Sequence, residues 1–379
     1  MMKMEMVYVE DCCEILDSMR VPITASDRIA GEYPYYGANG IQDHVSDYIF
    51  DDELVLLAED GGNFGSKERP IAYRVSGKCW VNNHAHVLKP KAGLDVDYLC
   101  YSLMFYDVDG MVNGATRQKL TQAAMRKMKI PLRSIEEQVH VVDELNRVIK
   151  IKEQRQQELA LLDEIIKARF VELFGDPANN EKGFIKAPMG DYMTLLTDFS
   201  SNGSYKTLDS RVTMYDEPKY AWMVRTTDLE SGDMTSVKYI DESAYELLSR
   251  SKIYGGEIIM NKIGSAGKIY LMPQINMPAS LGRNAFMFRY DEHINVKFLY
   301  HLLTSEYGQR EIQQYVRGAV TKTITKNDAR SVLIIVPPIE LQNEFEVFVA
   351  QVDKSKSAIE KELKKTQILF DSLMQKYFG

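Results

Sequence analysis

The sequence predicts an α+β protein in which two similar α/β domains are separated by two long antiparallel coiled-coil helices. Three observations lead to this fold class. The second half of the chain repeats the first, two long segments carry an apolar residue at every third or fourth position, and short runs rich in Val, Ile, Tyr and Phe fill the rest. We therefore expect four parts, residues 1–130, 131–183, 184–336 and 337–379.

The repeat is gapless over its clearest stretch. A shift of 204 positions lays residues 114–175 on residues 318–379, and 15 of the 62 aligned positions are identical. The identical pairs include Gly114 with Gly318 and Gln138 with Gln342. Upstream, a weaker similarity continues at a shift of 200. Two copies of one unit in a single chain are most simply related by a pseudo-two-fold axis.

Residues 1–130 and 184–336 are predicted to form the two α/β domains. Alternating or continuous apolar runs bounded by glycine-rich turns predict strands at 49–58, 71–75, 79–87, 257–260, 268–272 and 284–289. Two amphipathic helices are predicted at 95–105 and 295–307.

The two long helices have recognisable ends. Ser134 and Glu137 form a capping box at the start of the first helix, and the second opens with Pro337-Pro338. Each helix ends in Phe-Gly, which predicts a glycine C-cap. The apolar period of 3.5 predicts a coiled-coil seam. Its residues are Val141, Leu145, Leu159, Leu162 and Ile166 in the first helix and Phe345, Val349, Val352, Ile359, Leu363 and Phe370 in the second.

An antiparallel pairing of the two helices, each about 57 Å long, gives both seams a partner and brings Gly379 near Met1. If each helix instead packed only on its own domain, both seams would lack a partner.

Composition excludes several classes of protein. With 379 residues, 45% hydrophobic and 26% charged, the chain is typical of globular proteins, and without a long apolar run or a signal segment we expect it in the cytoplasm. The cysteines (Cys12, Cys13, Cys79 and Cys100) form no CxxC pair, so we expect reduced thiols without zinc. A net charge of -8 argues against a free-standing DNA-binding protein.

Catalytic motifs are not recognisable in the sequence. The run from Gly264 to Lys268 has the wrong spacing for a phosphate loop and predicts a hairpin turn. His84 and His86 would share one face of a strand, but a third metal ligand is not evident nearby. We therefore expect neither catalysis nor a metal or cofactor bound to this chain.

Several segments together resemble one protein family. YPYYGANG (33–40), LAEDG (57–61) and WVNNHAHVL (80–88) resemble a class of target recognition domain in the specificity subunits of Type I restriction-modification enzymes. IPLRSIEEQ (130–138) and its echo IIVPPIELQ (334–342) resemble the start of that family's spacer helices. The resemblance covers the whole chain in order, although residues 187–336 match less clearly.

The resemblance implies a function and a set of partners. In such a subunit, residues 1–130 and 184–336 would be target recognition domains 1 and 2, and residues 131–183 and 337–379 would be the central and C-terminal spacer helices. The domains would read the two halves of an asymmetric, bipartite target in double-stranded DNA. Two methyltransferase subunits, which use S-adenosylmethionine to methylate adenine, and two restriction and motor subunits would dock on the chain, which would have no catalytic activity.

Three alternatives remain open from the sequence. The chain could belong to a related system of the Type IIB or IIG kind. It could be a coiled-coil adaptor that joins two proteins without DNA, or a nuclease that uses acids such as Glu59 and Asp60 with a divalent metal.

Basic residues cluster just before each spacer helix. Residues 117–129 hold five basic side chains and no acid, and residues 317–330 hold four with one acid. Such clusters can contact DNA phosphates or form an ordinary solvated face. The phosphate candidates are Arg117, Lys119, Arg126, Lys127, Arg317, Lys322, Lys326 and Arg330. The polar loop residues that are candidates for reading bases are Asn39, Gln42, Asn63, Lys67, Arg69, Lys206, Arg211, Lys262, Ser265 and Arg283.

Overall fold

The computed structural model describes residues 5–114, 117–232 and 236–379. The chain folds as two compact units. The first consists of Met1–Glu158 with Ile359–Gly379, and the second of Leu159–Ala358. Each unit therefore contains one α/β domain together with part of each long helix.

The first unit is built around one six-stranded sheet in the order β2-β7-β5-β6-β3-β4. Its strands are β1 (Glu5–Tyr8), β2 (Cys13–Ile15), β3 (Ala30–Gly37), β4 (Gly40–Val45), β5 (Phe50–Ala58), β6 (Ala72–Val81), β7 (Ala85–Pro90), β8 (Val112–Asn113), β9 (Lys119–Leu120) and β10 (Lys129–Leu132). Its helices are α1 (Val9–Cys12), α2 (Val96–Met104), α3 (Gln122–Arg126) and the first part of α4 (Ile135–Phe174).

Helix α2 fixes this domain to the spacer helix. Tyr98, Leu99 and Leu103 on α2 are fully buried in one apolar core that also contains Leu57 of β5 and Leu145 of α4. Strands β1 and β10 pair antiparallel and join the start of the chain to the segment that leads into α4. The four cysteines are buried free thiols.

The second unit contains two four-stranded sheets, ordered β12-β19-β16-β17 and β14-β13-β18-β15. Its strands are β11 (Ile185–Pro188), β12 (Met193–Asp198), β13 (Ala221–Val224), β14 (Lys238–Ile240), β15 (Lys252–Ile253), β16 (Ile258–Asn261), β17 (Ile269–Leu271), β18 (Ala279–Leu281), β19 (Ala285–Tyr290) and β20 (Leu333–Val336). Its helices are α5 (Tyr205–Arg211), α6 (Thr226–Ser231), α7 (Glu242–Leu247), α8 (Val296–Thr304), α9 (Glu306–Gln313), α10 (Lys326–Ser331), the end of α4 and the first half of α11 (Ile339–Phe378), whose second half belongs to the first unit.

The two units share a common frame. The order β12-β19-β16-β17 repeats the order β2-β7-β5-β6, and the pair β11–β20 repeats the pair β1–β10. In each unit a fully buried glutamine near the start of the long helix binds the turn before the short domain helix. The Gln138 side-chain oxygen accepts a hydrogen bond from the Asp95 N–H at 2.8 Å, and the Gln342 side-chain oxygen accepts one from the Asn295 N–H at 2.8 Å. The sequence repeat is therefore a structural repeat.

Helices α4 and α11 pack antiparallel in each unit. Both are 40 residues long, about 60 Å. Residues with increasing numbers on α4 contact residues with decreasing numbers on α11. Side-chain contacts that show this order are Lys152–Gln367 and Arg155–Glu362 in the first unit, and Asp163–Lys356 and Arg169–Glu344 in the second.

The predicted seam is buried most completely toward the ends of the helices. Val141, Leu145 and Phe370 are buried in the first unit, and Ile166, Phe345, Val349 and Val352 are buried in the second. The seam residues nearer the middle are only half-buried, namely Leu159, Leu162, Ile359 and Leu363. Met6 and Gly379 line the same groove of about 1000 Å³, whereas Met1 lies outside the described residues.

Three predicted segments were wrong in detail. The strands expected at 71–75 and 79–87 have different limits in the structure, where β6 covers residues 72–81 and β7 covers residues 85–90. Strand β6 continues through Gly77, which pairs with Asp52 without a break in register. The helix expected at 295–307 is two helices, since Ser305 caps α9 by accepting the Gly308 N–H at 3.1 Å. A Cβ at Gly308 would lie 2.1 Å from the Leu302 carbonyl oxygen, so only glycine allows this tight junction.

Candidate nucleic-acid interface

Four loops of the first domain meet in one polar surface, which we call the first loop surface: residues 38–42, 59–62, 82–84 and 117–119. Asn39 donates from Nδ2 to the Gly61 carbonyl at 3.0 Å. Asn82 donates to the Gln42 side chain at 3.0 Å. The Gly61 N–H bonds to the carbonyl of residue 118 at 3.2 Å. Candidates that are far apart in sequence are thus neighbours here.

Acidic side chains accompany the cations of the first loop surface. Arg117 pairs with Asp60 at 2.6 Å, and Asp60 also contacts His84 at 2.7 Å. Lys119 pairs with Glu59 at 2.9 Å. The side chains of Arg117 and Lys119 stay about half exposed, at 59% and 49%, so both can still reach a ligand. The acidic side chains therefore partly neutralise both cations.

The remaining candidates of the first domain lie outside this surface. Asn63, Lys67 and Arg69 belong to the loop between β5 and β6, with Lys67 and Arg69 exposed. Arg126 is half-buried and pairs with Glu10 at 3.6 Å, while Lys127 is exposed.

The second domain forms a corresponding surface, the second loop surface, from residues 262–268 and 317–326. The Gly264 N–H bonds to the Lys322 carbonyl at 2.9 Å, and Arg317 and Thr323 form a bridge. The 262–268 loop is the predicted hairpin turn between β16 and β17, with φ of +81° at Gly264. Ser265 and Lys322 are exposed, and Arg317 is 74% exposed while pairing with Asp328 at 3.0 Å.

Helix α5 supplies further candidates in this domain. Lys206 and Arg211 are exposed on α5, and Asp209 of the same helix pairs with Arg283. The Arg283 guanidinium lies 5.3 Å from the centre of the Phe199 ring. A cavity of about 340 Å³ opens here, lined partly by Phe199 and Arg283. Arg330 is exposed on α10.

Lys262 and Lys326 are held by Asp198. The two ammonium groups lie 3.0 and 2.8 Å from its carboxylate oxygens. Burial alone would raise the pKa of Asp198, but the hydrogen bonds from Lys326 and Lys262 outweigh it and hold that pKa well below its usual value. The Lys262 side chain is only 10% exposed, so it is not free to reach a base edge in this conformation. Lys326 is more open, at 37%.

A buried cluster in the first domain has the residue types of a metal site. Single ligand atoms of Asp17, Glu59 and His86 lie within 4.8 Å of one another. Protein cations already neutralise the carboxylates, since Arg20 lies 2.6 Å and Lys119 2.9 Å from Glu59. Burial would raise the pKa of Glu59, yet hydrogen bonds from Lys119 and Arg20 lower it.

The His86 ring completes the cluster. Its Nδ1 lies 2.7 Å from the Asp17 carboxylate and its Nε2 lies 2.9 Å from the Leu120 carbonyl. Both ring nitrogens therefore face oxygen atoms of the protein, at the positions where a metal ion would have to bind. His84 is in the turn before β7, so the two histidines do not share a strand face as expected.

Sequence comparison identifies the family. Residues 1–161 and 196–368 match the family described as the Type I restriction modification DNA specificity domain. The chain belongs to this family. Each match falls on one of the two similar halves, so the chain carries two such specificity domains.

Individual relatives are described as specificity subunits of type I restriction enzymes. The type I restriction enzyme MjaVIII specificity subunit of Methanocaldococcus jannaschii is 22% identical over 399 positions, which cover 95% of this chain and 90% of that protein. A putative type I restriction enzyme specificity subunit of Haemophilus influenzae is 36% identical over 134 residues. That match spans 35% of this chain and 34% of the relative's own length.

Solved structures of this family share the fold. The S subunit of a Type-I restriction-modification system from M. genitalium matches 100% of this chain and 96% of its own, with a TM-score of 0.60 at 14% identity. A chain from a structure of complex assembly and conformational transition in the type I R-M system matches with a TM-score of 0.55 at 15% identity, covering 99% and 98%. Across the described residues, the helices lack the length and apolar character that would let one cross a membrane.

Proposed function

We propose that this chain is the DNA-reading, non-catalytic subunit of a type I restriction-modification complex, and that its domains read the two halves of an asymmetric bipartite target. The observation that carries the proposal is the double family match on two halves with the same frame and different loop side chains. A shared frame presents both readers in the same way, and different loops read different sequences. Since the target would be cellular DNA, we expect the chain to act in the cytoplasm.

The two loop surfaces are the proposed sites of DNA contact. Exposed cations on them, such as Arg117, Lys119, Arg317 and Lys322, would bind phosphates and set the register. Asn39 and Gln42 lie beside the cations of the first loop surface and are suited to adenine. Arg283, which lies outside the second loop surface and pairs with Asp209, is suited to guanine. Because acids pair with several of the cations, we expect weak DNA binding by the isolated chain.

Partner subunits would supply the chemistry. Two methyltransferase subunits would bind S-adenosylmethionine and methylate adenine, and two restriction and motor subunits would cleave the DNA. This chain would bind no cofactor of its own. We therefore expect neither methylation nor cleavage when the purified chain is given S-adenosylmethionine, ATP and Mg²⁺ without those subunits. Activity that co-purifies with this chain alone would contradict the proposal.

The direct test is a methylation map. The full chain is co-expressed with the adenine methyltransferase subunit encoded beside its gene, and host DNA is sequenced by a single-molecule method that detects methyladenine. We expect one methylated bipartite motif that disappears when this gene is deleted. An unchanged methylation pattern after deletion would exclude the proposed function and favour the protein adaptor.

The basic segment before α4 gives a quantitative prediction. Replacing Arg117, Lys119, Arg126 and Lys127 by Gln should weaken binding of the assembled complex to all DNA sequences alike. Counterion release lowers the slope of log K against log salt by about 0.9 for each lost phosphate contact. A titration of salt in a fluorescence binding assay measures that slope. An unchanged slope would assign the segment to an ordinary solvated face.

A further inference from the structure

A buried carboxylate in the first domain joins three separate segments. Asp17, 7% exposed, follows strand β2. Its Oδ1 accepts the Val87 backbone N–H at 2.9 Å, and its Oδ2 accepts the Gln122 side chain at 2.9 Å. Gln122 is the first residue of α3, within the basic segment that precedes the spacer helix. Asp17 therefore ties the end of β2, strand β7 and the basic segment together.

The second domain contains a carboxylate with the same role. Asp198, 4% exposed, ends strand β12. Its Oδ1 accepts a hydrogen bond from the Lys326 ammonium at 2.8 Å, and Lys326 is the first residue of α10. Gln122 and Lys326 are the same position of the repeat, 204 residues apart.

The backbone around both carboxylates also matches. The Leu120 N–H bonds to the Glu59 carbonyl at 2.7 Å, and the Ile324 N–H bonds to the Lys262 carbonyl at 3.1 Å. Glu59 and Lys262 therefore occupy equivalent places, immediately before the glycine turn of each loop surface. Asp17 and Asp198 therefore hold equivalent segments together in the two domains.

The other side chains around the two carboxylates differ between the domains. In the first domain Asp17 lies beside the His86 ring, and Glu59 is neutralised by Arg20 and Lys119. In the second domain Phe286 lies opposite Asp198 across the sheet. Lys262, with the opposite charge, stands where the first domain has Glu59. The elements common to both are the carboxylate and its bond to the first residue of the short helix.

Burying a carboxylate costs free energy unless it is paired, and a buried ion pair adds little net stability compared with apolar packing. A buried carboxylate that is bonded to the first residue of the short helix in both domains, once through a neutral Gln122 and once through Lys326, is therefore better explained by the geometry that it imposes. That geometry sets the basic segment against the glycine turn beside it, and contact between these two segments is common to both loop surfaces.

We propose that Asp17 and Asp198 are positioning residues, each of which holds the basic segment of its own domain against the neighbouring loop, so that discrimination of each DNA half-site depends on its own carboxylate. The inference rests on the proposed function and adds the residues that fix the reading surface. Asp198 also keeps Lys262 and Lys326 in ion pairs, which limits the positive charge offered to any DNA sequence.

The test uses the full chain co-expressed with its methyltransferase subunit, in the methylation map described above. For Asp198→Asn, methylation at sites with one mismatch in the second half-site should rise at least tenfold relative to wild type, while discrimination at the first half-site is retained. Asp17→Asn should show the reverse pattern. In the purified Asp198→Asn complex, release of a lysine should steepen the salt slope on non-specific duplex DNA by about 0.9.

A second pair of variants separates positioning from charge and keeps the test decisive if Asp198→Asn does not accumulate. Lys326→Gln copies the first domain, where Gln122 bonds to Asp17, and should lower affinity but keep second half-site discrimination. Lys326→Leu has no donor and should relax that discrimination about as much as Asp198→Asn. Asp216→Asn removes an 83% exposed carboxylate paired with Lys238 and serves as the control for loss of an ordinary surface ion pair.

Three results would overturn the inference. In the first, either Asp variant loses discrimination equally at both half-sites. In the second, an Asp variant methylates less DNA but discriminates between half-sites as the wild type does. In the third, the Lys326→Gln complex loses as much second half-site discrimination as the Lys326→Leu complex. Absence of any bipartite motif with the wild-type chain would instead refute the proposed function, so the two failures are distinguishable.

Discussion

Single residues set the shape of the loop surfaces, and two glycines show this most directly. Gly114 and Gly318 are equivalent in the repeat and have φ of +103° and +105°. A Cβ on Gly114 would lie 2.4 Å from the Arg117 carbonyl oxygen, and one on Gly318 would lie 2.2 Å from the Thr321 carbonyl oxygen. Both turns therefore require glycine for conformation and for space, and both lie within three residues of a candidate phosphate contact, Arg117 or Arg317.

We predict that Gly318→Ala destabilises the second unit by roughly 1–3 kcal/mol, the usual cost of a strained backbone position. Gly264→Ala is the matched control, because Gly264 also has positive φ, +81°, but a Cβ added there would meet no heavy atom of the described residues within 4 Å. Thermal unfolding of the full chain should therefore give a lower Tm for Gly318→Ala than for Gly264→Ala. Equal Tm values would show that the turn relaxes around the methyl group.

At the residue scale, the sequence identified polar side chains that gather on one surface, but it did not predict which of them are free to bind a ligand. Asn39, Gln42, Arg117 and Lys119 do converge on one surface. Lys262 was predicted as a base reader from its loop position, but Asp198 holds it inside the domain. That pairing joins residues 64 positions apart, and no local pattern in the sequence encodes it.

Among the secondary-structure elements, the long helices were the most predictable. The predicted capping box is present, since the Glu137 N–H bonds to the Ser134 hydroxyl at 3.3 Å and the Glu137 carboxylate accepts the Ser134 N–H. Helix α4 ends at Phe174, where Gly175 has φ of +70°. The sheet β14-β13-β18-β15 was not predicted, because strands of two to four residues are too short to show a period.

Helix α8 provides a pH-dependent prediction. Burial lowers the pKa of His301 to about 4, and its ring meets Phe345 of α11 edge-on at 5.3 Å, with Asp353 and Lys356 nearby. The folded pKa lies below the unfolded value of about 6.5, so the unfolded chain binds the proton first. The stability of the second unit should therefore be full above pH 6.5 and decline as the pH falls towards 4.

His301→Tyr should remove this decline, because Tyr101 occupies the equivalent place in the first unit and does not titrate in this range. The measurement is Tm of variant and wild type at pH 7, 5.5 and 4.5. We expect the difference in Tm to shift in favour of the variant as the pH falls. A difference that is constant with pH would show that His301 does not supply the decline.

On the scale of the whole molecule, the repeat extends to the seam between α4 and α11. Lys152 bonds to Gln367 at 2.6 Å in the first unit, and Lys356 bonds to Asp163 at 2.6 Å in the second. These pairs are equivalent at the shift of 204 residues. The sequence thus revealed the fold class and the helix pairing through the repeat, whereas the loop contacts that distinguish the domains left no comparable signal.

The seam predicts how half of the chain would assemble. In a homodimer of residues 1–183 paired through α4, Lys152 of each copy would meet Asp163 of the other, the same ion pair that Lys356 and Asp163 already form. Arg155 would meet Glu158, which stands where Glu362 stands in the full chain. Both contacts join opposite charges, so the polar part of the seam favours self-pairing.

We therefore predict that the fragment 1–183 dimerises and, with the methyltransferase subunit, directs methylation to a palindrome built from the first half-site and its inverted repeat. A true two-fold axis would present two copies of the first domain, and the spacing of half-sites follows the protein's symmetry. Sedimentation measures the dimer, and methylation mapping reads the motif. Asp163→Lys is the control, since it places two lysines together at each seam contact and should leave the fragment monomeric. A dimer of the fragment contains no copy of residues 184–336. If it still directed methylation to the original asymmetric sequence, the model in which each domain reads a different half-site would be wrong.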